Sequence, residues 1–288
     1  MVNDIKLTAA MNNNLMALKG TNKLLDRTQE RLATGLKVNS PMDSPTAYFS
    51  AAGLNNRAGE LEDLLNSMGQ AIQVLKTADE GIKSITKLVE HAKALANQAS
   101  ELSDDPANTV AIAKRANLAD QYDLLRTQIT ELANDTNYKG INLINDTTLL
   151  VKFTVYFNEQ LRSSSDITKL EISAVDATSD TGLGMIAASN AWATQADVDT
   201  DMDLILGGIE ALRTYASEFS NNYSIVLNRE SFTESLVNVL TEGANKLTLA
   251  DMNEESANML SLQTRHQLGI NSLSLASEAH AGILRLFG

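Results

Sequence analysis

Residues 29–54, QERLATGLKVNSPMDSPTAYFSAAGL, interrupt a strongly helical sequence and contain two of the chain's three prolines. Glycine enters the left-handed backbone region at little cost, so Gly35 predicts the end of a helix. Proline disfavours helix in the residue before it and suits the first turn of a helix. Ser44 and Pro45 therefore predict the start of the next one. The stretch separates two helical segments.

The segment before the break, at about residues 4–34, has an apolar residue at every seventh position. These residues are Met11, Leu18, Leu25 and Leu32. A helix with so narrow an apolar stripe buries little surface by itself and needs a partner helix.

The segment after the break predicts a helix at about 45–100, roughly 80 Å long at 1.5 Å per residue. Its first apolar residues follow a strict 4-3-4-3 spacing, which is typical of a coiled-coil core. They are Leu61, Leu65, Met68, Ile72 and Leu75. Similar stripes predict three further helices, at about 106–134, 197–240 and 249–286.

Between the third and fourth helices the apolar period changes from helical spacing to strict alternation. Residues 151–157 and 167–174 alternate apolar and polar side chains, which predicts two strands joined by a hairpin loop. Residues 176–195 are rich in Asp, Ser, Thr and Gly and predict an irregular surface excursion. The predicted fold is mainly α: an elongated rod of long coiled-coil-like helices with a small β-hairpin insertion, and both termini paired at one end.

The composition excludes several classes of protein. The 288 residues are 43% hydrophobic and only 5% aromatic, and the absence of cysteine excludes disulfides and thiolate metal sites. A net charge of −13 argues against nucleic acid as a partner. No apolar run approaches the ~18–20 residues of a membrane span, so we expect no membrane insertion.

The charge is unevenly placed along the chain. Residues 1–40 hold six Lys/Arg against three Asp/Glu, whereas residues 247–288 hold two against four. Either the ends differ by chance, or a basic N-terminal helix lies beside an acidic C-terminal one.

No catalytic or metal-binding pattern emerges from the residues. His91, His266 and His280 are isolated on predicted helices, and the sequence contains no HExxH, no GxGxxG or P-loop, and no GxSxG. We therefore predict no enzyme activity, no metal site and no cofactor. The two sparse terminal stripes indicate assembly instead. The two terminal segments either form a simple intramolecular helix pair, or they become ordered only when many copies pack together.

Three separate parts of the chain resemble bacterial flagellins. Residues 30–40, ERLATGLKVNS, followed by Asp43, resemble the family's N-terminal signature, and residues 133–143, ANDTNYKGINL, resemble its passage into the first hairpin. The C-terminal region matches at Gln263, Gln267-Leu268, Leu275-Ala276 and residues 283–287, ILRLF. The likeness covers roughly residues 1–145 and 200–288.

The resemblance implies a subunit that polymerises into the flagellar filament for swimming motility. It implies export through the flagellar secretion channel without a cleaved signal peptide, and an extracellular location. The implied partners are other copies of the chain, an export chaperone, and the hook-associated junction and cap proteins.

The resemblance also implies a division of the chain into parts. Residues 1–40 and 247–288 would form an inner-tube helical domain, residues 41–145 and 197–246 a rod domain, and residues 146–196 a β-hairpin with a reduced variable region. The residues expected to face other terminal helices, including those of neighbouring subunits, are Leu18, Leu25, Leu32, Ile270, Leu273, Ile283 and Leu284. Gly35, Asn39 and Asp43 would shape the spoke, the segment that joins the inner helix to the rod. The residues with 4-3-4-3 spacing, Leu61 to Leu75, would form the coiled-coil core of the rod.

Two other functions remain open from sequence. A hook–filament junction protein would have similar ends, but it would be scarce in sheared surface material where a filament subunit dominates. A surface-exposed flagellin relative that binds a ligand would use aromatic residues of the variable region, and Tyr156, Phe157 and Trp192 are the candidates.

Overall fold

The computed structural model describes residues 9–146, 152–158 and 168–287, without the side chains of residues 10, 280 and 283–287. Within these residues it contains five long helices and one small sheet. The helices are α1 (Ala9–Thr34), α2 (Pro45–Ser100), α3 (Thr109–Asp135), α4 (Gln195–Thr248) and α5 (Met252–Phe287), and the strands are β1 (Lys152–Tyr156) and β2 (Lys169–Ser173). The predicted class, mainly α with a small β-hairpin, is confirmed.

The helix ends follow local chemistry. Pro45 is the first residue of α2, and the backbone carbonyl of Ser44 accepts from Tyr48 N at 2.9 Å. Helix α3 begins three residues later than predicted because Asn108 caps it, its Oδ1 accepting from Ala111 N. Helix α4 ends eight residues later than predicted, at Thr248.

The two strands pair antiparallel, with Phe153 opposite Ile172 and Val155 opposite Leu170. Val155 and Ile172 are buried, so one face of the hairpin joins the core. The predicted hairpin loop lies largely outside the described residues, as do the predicted helix start before residue 9 and the strand start at residue 151.

The chain divides into two compact units: a terminal unit, Met1–Ala58 with Asn238–Gly288, and a central unit, Gly59–Val237. The central unit has one continuous apolar core, contributed by α2, α3, α4 and the hairpin. Of the 42 buried apolar side chains in the described residues, only seven belong to the terminal unit. The terminal unit therefore lacks a core of comparable size.

The prediction of a surface excursion at residues 176–195 is wrong. The segment is irregular, but Asp176, Leu183, Met185 and Trp192 are all buried. Its polar side chains are satisfied internally, since Asp176 Oδ1 accepts from both the backbone N and the hydroxyl of Thr178.

The segment ends in a left-handed turn, Ser189–Trp192, in which Asn190, Ala191 and Trp192 have φ of 46°, 50° and 56°. Trp192 packs against Tyr122 with ring centroids 5.1 Å apart. Its Nε1 donates to the buried carboxylate of Asp201 at 2.7 Å. This aromatic, considered above as a ligand-binding candidate, belongs to the core.

Candidate functional site

The terminal unit is built on an antiparallel pairing of α1 with α5, which we call the seam. At one level Arg31 Nη1 donates to Glu255 Oε1 at 2.6 Å. Thirteen residues earlier on α1, Leu18 lies over Gly269 of α5, which has no side chain to obstruct it. Helices α1 and α5 are therefore paired, and a basic residue of α1 meets an acidic residue of α5, which agrees with the second of the two interpretations of the uneven charge.

At the C-terminal end of α1, the loop that follows the helix is hydrogen-bonded to the turn between α4 and α5. Lys37 N and Val38 N donate to Thr248 O at 2.8 and 3.3 Å, and Ala250 N donates back to Gly35 O at 2.9 Å. Gly35 has φ of +74°, the left-handed conformation expected at a helix end. We call this pair of hydrogen-bonded segments the crossing.

The loop that follows is organised by one carboxylate. Asp43 Oδ2 accepts from the backbone N of Asn39 and of Ser40, at 3.1 and 2.9 Å, and from Ser40 Oγ at 3.1 Å. The Ser40 and Asn39 amides are the main reasons why the pKa of Asp43 lies below its ordinary value of 3.8. The ionised carboxylate thus holds the turn between Asn39 and Asp43.

The start of α5 has a cap that our sequence reasoning missed. Asp251 Oδ1 accepts from Asn253 N at 2.9 Å and from Glu254 N at 3.2 Å, which satisfies two donors of the first turn. The signal was present in the sequence, because an N-cap residue followed three residues later by Glu is typical of a helix start. Glu255, the partner of Arg31, was missed as well.

The predicted packing residues of the termini occupy different environments. Leu18, Leu25, Leu32 and Leu273 are half-buried, and Ile270 is exposed. Ile283 and Leu284 lie in α5, but their side chains are outside the described residues. In the predicted spoke, Gly35 is half-buried, and Asn39 and Asp43 are exposed.

The predicted rod-core residues lie on α2. Leu61, Met68, Ile72 and Leu75 are buried, and Leu65 is half-buried. Met68, Ile72 and Leu75 belong to the core of the central unit.

Among the described residues, no three His, Asp or Glu side chains are grouped so as to hold a metal ion. The helices, as far as the structure describes them, include none with the length and apolar character needed to cross a membrane.

Comparison with known proteins decides the family. A family model described as the bacterial flagellin N-terminal helical region matches residues 5–148, which is half of the chain.

The chain belongs to the flagellin family.

Individual flagellins match over most of the chain. Flagellin FljM of Caulobacter vibrioides is 27% identical over 238 residues, which cover 83% of this chain and 81% of that protein. A flagellin of Listeria innocua is 23% identical over 79% of this chain and 80% of its own length. The crystal structure of Bacillus cereus flagellin covers 67% of this chain and 94% of that chain, with 19% identity and a TM-score of 0.39. The resemblance inferred from residues 30–40, 133–143 and the C-terminal region is confirmed.

In this flagellin-family chain, the exposed apolar surface is concentrated where the core is smallest. Eighteen large apolar side chains are exposed among the described residues, and eleven of them lie in the terminal unit. Those eleven are Met16, Leu24, Met42, Phe49, Val239, Leu249, Met252, Leu260, Leu268, Ile270 and Leu275. The terminal unit therefore combines the smaller core with the larger share of the exposed large apolar side chains.

Proposed function

We propose that this chain is the subunit of a flagellar filament and that copies polymerise through the terminal unit. Family membership supports the class of structural filament protein. The single observation that carries the proposed mode of assembly is the exposed apolar surface of the terminal unit, described above. Burying that surface against further copies gains roughly 25 cal/mol per Å² of apolar area.

The proposed division of labour follows from the two units. The central unit, with its own core, keeps its structure during assembly, whereas the terminal unit gains most of its buried surface from neighbours. The seam residues Leu18, Leu25, Leu32 and Leu273 hold the helix pair together, and Ile270 with the other exposed apolar residues is covered by neighbouring copies. We further propose that Gly35, Asn39 and Asp43 shape the link between inner helix and rod, and that the chain is exported through the flagellar secretion channel.

Seeded polymerisation tests the proposal. Sheared filaments of the full chain serve as seeds, and growth is followed by electron microscopy for the full chain and for a version with residues 41–248 alone. We expect growth only from the full chain. Growth of the shortened version to normal length would show that the terminal helices are dispensable and would contradict the proposal.

A point variant separates assembly from folding. Leu25→Asp places a charge in the seam, and we expect it to abolish growth while the monomer stays in solution with the central unit intact. Normal filaments from this variant would contradict the role given to the seam. Asp26→Asn is the matched control, because the neighbouring residue is exposed and its change places no charge in the seam.

Abundance distinguishes a filament subunit from a hook–filament junction protein. The chain should dominate the material sheared from the surface of the cells that make it. If it were scarce there while another flagellin dominated, the junction function would replace the one proposed here.

A further inference from the structure

The loop between α1 and α2 carries the most exposed large apolar side chain of the described residues. This residue is Met42, which is 94% exposed, followed by Met16 at 72%. Its neighbours in the sequence are Pro41 and Asp43, so it stands alone as an apolar side chain at this place. At such exposure the thioether sulfur is open to small molecules in solution.

The backbone at Met42 is held in a tight turn. Asp43 N donates to Ser40 O at 3.1 Å, which makes Pro41 and Met42 the two central residues of a four-residue turn. Proline suits the first of these positions because its ring presets φ. The Asp43 carboxylate fixes the same turn, since it accepts from Asn39 N and Ser40 N. None of these bonds involves the Met42 side chain, so a chemical change at its sulfur leaves them in place.

The other described methionines are less accessible than Met42 and Met16. Met252 is 46% exposed. The rest are half-buried or buried: Met202, Met259, Met11, Met68 and Met185. Oxidation of a thioether requires contact between the oxidant and the sulfur, so its rate follows exposure. The structure therefore predicts an order of oxidation, with Met42 first, Met16 second and the buried methionines last.

Building on the proposed function, we propose that Met42 is a reversible oxidation site that controls the addition of this chain to a filament. The oxidant is hydrogen peroxide. The Met42 sulfur attacks one peroxide oxygen, an S=O bond forms and the O–O bond breaks. The sulfur loses two electrons, and the second oxygen leaves with both hydrogens as water. A methionine sulfoxide reductase reverses the step, because a dithiol supplies two electrons and two protons, becomes a disulfide and releases the sulfoxide oxygen as water.

Oxidation at Met42 changes the surface and leaves both cores as they are. The sulfoxide is polar and accepts hydrogen bonds, so covering it with a neighbouring copy costs more free energy than covering the thioether. Met68 and Met185 lie in the core of the central unit, where the same change would disrupt packing. Because peroxide reaches these two last, Met42 responds at doses that leave the core intact.

The test uses a chain in which Met42 is the one exposed methionine left in the described part. The changes Met16→Leu and Met252→Leu remove the other two, and a matched control adds Met42→Leu to them. Both chains are treated with dilute hydrogen peroxide, and peptide mass spectrometry follows every methionine, residue 1 included. Circular dichroism before and after treatment checks that the helices are retained. Met42→Leu alone, compared with wild type, repeats the comparison without the other two changes.

We expect Met42 to be oxidised at least about tenfold faster than Met68 and Met185. In the chain that keeps Met42, oxidation should raise the critical concentration for growth from wild-type seeds about fivefold, and reductase treatment should restore it. The control chain should grow equally well before and after peroxide. Met42→Gln, which places a polar side chain of similar length there, should reproduce the effect without oxidant.

Three outcomes would overturn the proposal: unchanged growth after complete oxidation of Met42, an equal loss of growth in the control chain, or oxidation of Met42 no faster than that of the buried methionines. Failure of the untreated wild-type chain to form any filament would instead contradict the proposed function. The oxidation order is measured on the monomer, so the two failures are distinguishable.

Discussion

Arg31 and Glu255 form the ion pair of the seam, with Nη1 and Oε1 2.6 Å apart. The Glu255 side chain is 9% exposed and the Arg31 side chain 29%, so the carboxylate is the more deeply buried partner. Removing one partner of a buried pair costs more than the pair itself contributes, because the remaining charge has no compensation.

We therefore expect Arg31→Met to weaken the seam by about 1–3 kcal/mol, less than for a fully buried pair because Arg31 is partly solvated. Replacing both residues, Arg31→Met with Glu255→Met, should restore much of the loss. Hydrogen exchange of the α1 and α5 backbone amides measures the effect. Equal protection in Arg31→Met and wild type would show that the pair contributes nothing.

The Asp43 carboxylate predicts a pH dependence of the loop. Its folded pKa lies below 3.8, so the unfolded chain takes up the proton first as the pH falls. The ionised carboxylate stabilises the loop fully above about pH 4, and this stabilisation is lost as the pH falls through the lowered pKa. The backbone amides of Asn39 and Ser40 should lose protection from exchange in that window. In Asp43→Ala they should be unprotected at neutral pH, and full protection there would contradict the assignment.

His266 should be replaceable by an apolar residue with a gain in stability. Its Nδ1 is buried and makes no hydrogen bond within the described part of the chain. A buried polar atom without a partner costs about 1–3 kcal/mol, so His266→Leu should strengthen the seam by roughly 1 kcal/mol. His91→Leu is the control, because His91 is exposed on α2 and the change should alter stability little. The midpoint temperature of thermal unfolding, compared between each variant and wild type, shows whether stability rises or falls.

Gly182 should tolerate no side chain, whereas Gly207 should accept one. A Cβ at Gly182 would overlap the backbone carbonyl of Asp176, which cannot move without disrupting the buried segment. We expect Gly182→Ala to destabilise the central unit by about 2–4 kcal/mol. Gly207→Ala, in the open interior of α4, should stabilise it by up to about 1 kcal/mol. Urea unfolding followed by circular dichroism measures both.

Ala191 lies in the left-handed turn, where a residue other than glycine costs about 1–2 kcal/mol. Ala191→Gly should therefore raise the midpoint of urea unfolding, the gain reduced by the greater freedom of glycine in the unfolded chain. Ala193→Gly is the control. Ala193 has φ of −63°, which is ordinary for alanine, so this variant should be less stable than wild type. A lower midpoint for Ala191→Gly would mean that the turn carries no strain there.

The helices were predictable from the sequence because their apolar spacing and end signals are local. The break between Gly35 and Pro45 and the bounds of α2 were read from a few neighbouring residues. The predicted end of α4 was eight residues too early, because the helix continues through Gly243 to Thr248. In the structure a Cβ at Gly243 would lie 3.5 Å from Leu54 Cδ1, so the glycine fits a close approach of two helices.

The buried segment at residues 176–195 was not predictable in this way. Its polar composition is satisfied by hydrogen bonds between near neighbours, such as Thr181 Oγ1 to Asp176 Oδ2 at 2.5 Å. Its apolar partners, among them Tyr122 on α3, are far away in the sequence. For the candidate site, the sequence predicted that the terminal helices carry assembly, but exposure was needed to separate the packed side of each helix from its exposed side.

The crossing has a mechanical consequence. Three backbone hydrogen bonds join residues 35–38 to residues 248–250, in addition to the two covalent chains that pass through this place. A load on α1 and α5 is therefore shared by two chain segments that these hydrogen bonds couple. The three hydrogen bonds oppose a slip of residues 35–38 along residues 248–250, and with it a change in the register of α1 against α5.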